Sequence, residues 1–213
     1  MPLLADDYFF CAHDTISGRC LLSERTVGLG LASALLGELV LFGAVRIERG
    51  HLNVMDTGPL PDRLANAVLD EVAAERNLTR AREWLRYLAR DAYDDVGQRL
   101  TRADLVERQQ VRRLMRTTVT YVPRDMNDAG WPAARLATVM RSRTIMDVPD
   151  LTLAGIVSAT GLATAAFADV PGDPRRYAHH HLVRLRHPIR ESLLELIGHT
   201  DAAIGDAVLS HRT

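Results

Sequence analysis

The chain has 213 residues, is 47% hydrophobic and 25% charged, and carries a formal net charge of −1. That is enough apolar material for a real core in a single domain spanning 1–213. The near-zero charge excludes a global attraction to nucleic acid or to a membrane surface. Two cysteines, Cys11 and Cys20, form neither a CxxC pair nor a disulfide framework, so a reducing cytoplasm is the expected compartment.

All 26 basic residues are Arg. This suits the codon usage of a GC-rich bacterium, and it also suits bidentate contacts to anions, which Arg makes better than Lys. Aromatics are only 5%, so Leu, Val and Ala must fill the core.

The N-terminal MPLLADDYFF meets Asp6 and Asp7 too early for a signal peptide. Residues 8–12 and Cys20–Ser23 read as a small hairpin around the turn Asp14–Gly18. An apolar helix follows over Val27–Phe42, stopped by Gly43. Its one acid, Glu38, either pairs with a core Arg or faces solvent. Ala44–Glu48 and His51–Met55 alternate with period two about Arg49-Gly50, a hairpin. Helical spacing then covers Asp62–Asn77 and Thr79–Arg90, with Thr79 as the N-cap. Val96–Gln109 reads as a further helix, and Val111–Val122, rich in β-branched residues, favours a strand. Pro123–Pro132 reads as a loop. Helices resume at Ala133–Arg143, Leu151–Ala168, Pro174–Leu185 and Pro188–Leu209, the last with a break at Gly198. The fold class is mainly α: one helical domain around a central apolar helix, with peripheral β-hairpins.

Leu151–Ala168 holds no charge, but its Thr, Ser, Gly and Ala content fits a soluble core helix better than a membrane span. Basic residues gather locally. Seven Arg lie between Arg99 and Arg124, and five Arg with four His between Gly172 and Arg190. Such segments suggest local anion-binding faces, or a solvated, salt-bridged surface.

Few motifs carry chemistry. Gly28-x-Gly30-x-x-Ser33 with Glu48 imitates a dinucleotide fingerprint, but a hairpin follows where a βαβ crossover is required. His179-His180-His181 has no second ligand cluster at zinc spacing, so no metal is expected. A helix followed by a hairpin also imitates a winged-helix DNA reader. The helix here offers Leu, Ala and Gly rather than base-reading side chains, so no nucleic acid is expected. No GxSxG, HExxH or recognisable catalytic Cys is present, which points away from an enzyme and from any cofactor. Only a deep polar pocket would revive an enzyme or a small-molecule binder.

The run GELVLFGAVRIERGHLNVMD (37–56) resembles the (I/V)ELALRGR(I/L) signature of the Golgi-phosphoprotein-3-like family. LLADDYFFCAHDTISGRCLLS (3–23) resembles that family's N-terminal lead, with Asp14 and Gly18 at the corresponding points. QRLTRADLVERQQVRR (98–113), Val119–Pro123 and Leu151–Phe167 resemble its later segments, so the likeness covers nearly the whole chain. It implies a single, mostly helical domain of a bacterial, actinobacterial-type member. It also implies an adaptor like the eukaryotic members, which bind phosphatidylinositol 4-phosphate on Golgi membranes and hold the cytosolic tails of glycosyltransferases. An exposed hairpin mediates self-association in some of them, and none is established as an enzyme.

The lipid pocket of those relatives does not carry over. The positions of its Trp and Arg at the start of the apolar helix hold Ser23 and Ala32, and two further Arg positions fall on Asp94 and Gly97. Each missing charge-assisted bond forfeits roughly 1.5–3 kcal/mol. Arg19, Arg25, Arg99 and Arg102 lie in the same sequence regions and would have to rebuild an anion site. The expectation is a non-catalytic, cytoplasmic adaptor, peripheral on the inner face of the cell membrane. Its partners would be anionic phospholipid headgroups and a protein tail. The alternative is a soluble module that self-associates through Thr118, Thr120 and Val122 on an edge strand.

Overall fold

A helix that is apolar on every side can be stable only if other elements surround it. Val27–Val40 is such a stretch, and every residue of it is buried. The computed structural model describes residues 3–113, 116–142, 144, 146–166, 170 and 173–209. In it the apolar stretch belongs to α2 (Glu24–Leu41), which starts one turn earlier than its apolar run. Ser23 is the N-cap, its side chain accepting the Thr26 N–H. At the far end Gly43 takes φ +77°, and the N–H groups of Gly43 and Ala44 bond back to Val40 and Leu39. This is a Schellman closure.

The elements around α2 are α1 (Leu4–Cys11), α3 (Arg63–Ala74), α4 (Ala81–Leu88), α5 (Ala92–Arg102), α7 (Val148–Ala159), α10 (Arg190–Leu209) and β1 (Val45–Glu48). One hydrophobic cluster runs from Leu4 to Ala207. Close approach to α2 uses its glycines. A Cβ on Gly30 would lie 2.0 Å from the Tyr8 hydroxyl. The GxG of the apparent dinucleotide fingerprint is therefore a packing groove.

β1 pairs antiparallel with β2 (His51–Val54), as the alternation predicts. Arg49 and Gly50 both have positive φ, the type I′ turn that matches strand twist. Helix α10 covers this hairpin. Glu195 accepts the N–H groups of Arg49 (2.9 Å) and Gly50 (2.7 Å), and Ser192 Oγ pairs with both the N–H and the C=O of Ile47. A second antiparallel hairpin joins β3 (Val106–Arg113) to β4 (Arg116–Pro123). The fold class is thus mainly α with peripheral hairpins.

Several local expectations are corrected. Residues 8–12 are not a strand. Residues 8–11 belong to α1 and Ala12 is its C-cap; Leu4, Ala5, Tyr8 and Phe9 of this helix pack inward. Acids Asp6 and Asp7 in its first turn suit the helix dipole. Of the expected hairpin only the bridge His13↔Cys20 remains. Thr79 does not cap α4. Arg80 is the N-cap, Glu83 reaches back to its N–H, and the Thr79 C=O accepts from Leu52. The helix expected over Val96–Gln109 stops at Arg102. The chain turns at Asp104 (φ +59°) and continues as β3, because pairing with β4 outweighs a polar sequence's weak helical preference. Of the loop expected at Pro123–Pro132, Pro123 ends β4 and the stretch from Met126 onward is the start of α6 (Met126–Ser142). Asp125 accepts the Asn127 N–H there, and Pro132 lies within the second turn. The uncharged Leu151–Ala168 run is divided at Gly161 (φ +83°) into α7 and a short α8 (Ala163–Ala166). Its last residues, and Arg143 at the end of the preceding expected helix, lie outside the described residues. Helices α9 (Pro174–Arg184) and α10 follow, and α10 passes through Gly198 unbroken. Among the described residues no helix is long and apolar enough to cross a membrane.

Candidate functional site

Two acids in succession at the start of α1 point about 100° apart, so each meets a different neighbour. Asp6 faces α5 and Asp7 faces α6. Arg99, in the last turn of α5, donates from Nε to Asp6 Oδ1 at 2.8 Å. Its Nη1 and Nη2 grip Glu38 of α2 in a fork, both at 3.0 Å, and Nη1 also reaches Asp62, the N-cap of α3, at 3.0 Å. Glu38 Oε1 additionally accepts the Ala5 N–H at 2.8 Å. Of the two alternatives for Glu38, the core ion pair is the one the chain adopts.

The electrostatics follow from burial. Burial pushes the Asp6 carboxyl up to about 7, against the pull of Arg99. Glu38 is raised by burial too, with Arg99 again opposing. Burial pulls the Arg99 guanidinium down, but the Glu38, Asp6 and Asp62 carboxylates more than reverse this and leave it above its ordinary value. Beside this cluster, Arg135 of α6 holds Asp150 of α7 with Nη2 at 2.7 Å and Asp7 at 2.8 Å. Burial raises Asp7, and Arg135 offsets part of that.

The candidate anion-binding arginines therefore separate. Arg99 is only 7% exposed, and its donors are spent on internal carboxylates. This corrects its candidacy as a lipid contact. Arg19, in the loop before α2, Arg25, in the first turn of α2, and Arg102, at the end of α5, are exposed.

The four positions aligned with the eukaryotic pocket divide in the same way. Ser23 is exposed and serves as the α2 cap. Asp94 is exposed and accepts the Tyr121 hydroxyl at 3.1 Å. Ala32 is fully buried. Gly97 lies under the Tyr121 ring, where an added Cβ would stand 2.3 Å from Cε2. Thr118 is exposed on β4, and Thr120 and Val122 are half-buried.

Near α1's end, His13 Nδ1 lies 2.6 Å from the Phe9 carbonyl, and Nε2 lies 3.1 Å from Cys20 Sγ. A carbonyl only accepts, so Nδ1 carries the hydrogen and Nε2 takes the thiol's. Burial pushes His13 down to about 4 and Cys20 up to about 11. The pair is neutral, the opposite of an activated thiolate–imidazolium nucleophile. The three consecutive histidines lie on α9, and among the described residues no three or more His, Cys, Asp or Glu side chains are grouped so that they could hold a metal ion.

Sequence reasoning missed Asp6, Asp7, Asp62, Arg135 and Asp150. Their signal was present only in part: two adjacent acids inside an otherwise apolar helical run require buried partners, but nothing in the spacing names them.

None of the curated proteins compared with the chain matches it. A family model described as Golgi phosphoprotein 3 (GPP34) matches residues 4–200, which takes in α1 through most of α10, both hairpins and the paired acids with their arginines. The chain belongs to the Golgi phosphoprotein 3 (GPP34) family.

Proposed function

We propose that this protein is a non-catalytic, cytoplasmic adaptor that associates peripherally with the inner face of the cell membrane through anionic phospholipid headgroups. In that role it would also hold a protein tail. The family match over residues 4–200 carries this reading. The exposed Arg19 and Arg25 support it, because guanidinium groups near the α2 N-terminus and the preceding loop suit phosphate oxygens, and Arg102 adds an exposed guanidinium at the end of α5. The phosphoinositide specificity of eukaryotic relatives is not part of the proposal, since Ser23, Ala32, Asp94 and Gly97 cannot supply their contacts.

Flotation with vesicles of phosphatidylcholine alone, and of phosphatidylcholine mixed with phosphatidylglycerol, tests it. The wild-type chain should float with the anionic vesicles at low salt and be released as salt rises. The triple substitution Arg19→Ala, Arg25→Ala, Arg102→Ala should lower the bound fraction about tenfold, at roughly 1 kcal/mol or less per exposed charge. Equal recovery with neutral and anionic vesicles would count against the proposal.

A second reading, a soluble self-associating module, is favoured by one observation. The β3–β4 sheet has only two strands, so each strand has an outer edge that pairs with no other strand among the described residues.

A further inference from the structure

Beside the Arg99 cluster is a cavity of about 390 Å³, within the volume range of small-molecule sites. Its walls are apolar: Leu3 and Leu4 from the start of α1, Leu41 and Phe42 from the end of α2, with Pro61 and Pro149 opposite. Pro61 is exposed, and Leu41, Phe42 and Pro149 are half-buried, so the cavity opens to solvent. Its remaining lining residues are Glu38 and Asp62, and no basic side chain lines it.

Charge at that polar end is unbalanced. Asp6, Glu38 and Asp62 share the single guanidinium of Arg99; burial keeps Asp6 protonated below about pH 7, so with Glu38 and Asp62 ionised one negative charge is left over there, and two once Asp6 ionises. The neighbouring half-buried cation, Arg135, is engaged by Asp7 and Asp150. Arg63, adjacent to Asp62 in sequence, is exposed and forms no ion pair with the cluster among the described residues. Asp62 uses Oδ1 for both Arg99 and the Ala65 N–H, and its Oδ2 accepts no hydrogen bond among the described residues. An apolar vessel ending in surplus carboxylate selects by sign. A carboxylate ligand is repelled, and a neutral one leaves the charge unmet. A cation with an apolar body satisfies both ends.

We propose that this cavity binds a small amphiphilic cation: a protonated amine with its ammonium at Glu38 and Asp62 and its hydrocarbon body against Leu41, Phe42 and the two prolines. The site and the sign of its ligand are separate from the anionic-lipid reading, so either can fail without the other.

Titration calorimetry with hexylammonium, hexanol and hexanoate tests the proposal, because the three probes share an alkyl chain and differ in charge. Hexylammonium should bind about tenfold tighter than hexanol, the margin of a charge-assisted over a neutral hydrogen bond, and hexanoate should not bind. Asp62→Asn keeps the oxygen that caps α3 and should cut the preference for hexylammonium to about threefold or less. Leu41→Trp, at the half-buried rim, should weaken hexylammonium and hexanol together by filling the cavity. Equal affinity for hexanol and hexylammonium in the wild type would overturn the proposal. So would absence of binding by all three probes, a hexylammonium preference that Asp62→Asn leaves undiminished, or affinities that Leu41→Trp leaves unchanged.

Discussion

At Asp6 a single carboxyl senses the whole charge cluster, and its effect on stability has a definite sign. Arg99 of α5, Glu38 of α2 and Asp62 at the head of α3 face it, and burial lifts it to about 7 from its ordinary 3.8. Between about pH 4 and 7 the folded chain therefore holds a proton that the unfolded chain has released. Stability from this group is greatest on the acid side and falls as pH rises through that window. Glu38 and Asp7 are raised as well and act in the same sense. His13 acts oppositely. Burial holds it down at about 4, so the unfolded chain binds the proton first and stability is lost as pH falls from about 6.5 towards 4. Asp6→Asn isolates the first effect, because His13 contributes equally to both proteins. The variant should gain about 1–3 kcal/mol relative to wild type between pH 4.5 and pH 8, read from urea unfolding at each pH. A pH-independent difference between the two would contradict the buried placement of Asp6. Arg99 is legible in the sequence only as a cation in a basic segment. Its burial depends on carboxylates from three other elements, none of them close to it in sequence.

Helix α2 shows how much a single element can require of its neighbours. A methyl group at Gly30 would stand 2.0 Å from the Tyr8 hydroxyl and 2.1 Å from the ring carbon that bears it. Tyr8 is fully buried and cannot withdraw. Gly30→Ala should therefore destabilise by about 1–3 kcal/mol despite the better helix propensity of Ala. Gly205 in α10 is the control. It is exposed with nothing within 4 Å of an added Cβ, so Gly205→Ala should stabilise by about 0.5–1 kcal/mol. Denaturation midpoints for the two variants should move in opposite directions. Matching shifts would mean that Gly30 does not mark a close approach. The α2–β1–β2 unit was readable because each local cue agrees: an all-apolar helix, a glycine stop, alternation and a turn of the right handedness. Elements α1 and β3 were misread because their cues conflict. The five-residue apolar run at 8–12 suits strand or helix equally, and the sequence VERQQVRR becomes a strand only by lying against β4.

For the whole molecule, the β3–β4 hairpin is the part least committed to the core. It anchors through Val106 and Tyr121, both buried, and its main packing partner is α5. Thr118 is exposed and Thr120 half-buried on its second strand. If this edge joins two copies, light scattering across a concentration series should show the mass rising above that of one chain. Thr118→Lys with Thr120→Lys should return it to a monomer, since charges on an edge oppose pairing. A monomer at every wild-type concentration would remove the second functional reading and leave the lipid reading untouched.

The sequence by itself determined the family, the helical class, the central buried helix and the first hairpin. The family rests on the resemblance of its motifs and their order, and the others on periodicity, composition or short-range turn chemistry. Only the tertiary structure decided which charges are internal. It took Arg99 from the candidate surface, tied Asp6 and Asp7 to different helices, and set Glu38 and Asp62 at the end of an apolar cavity. The physical reason is that an ion pair is fixed by distance in space. Arg99 and Glu38 lie 61 residues apart in sequence and 3.0 Å apart in the fold, and no local pattern along the chain records that approach.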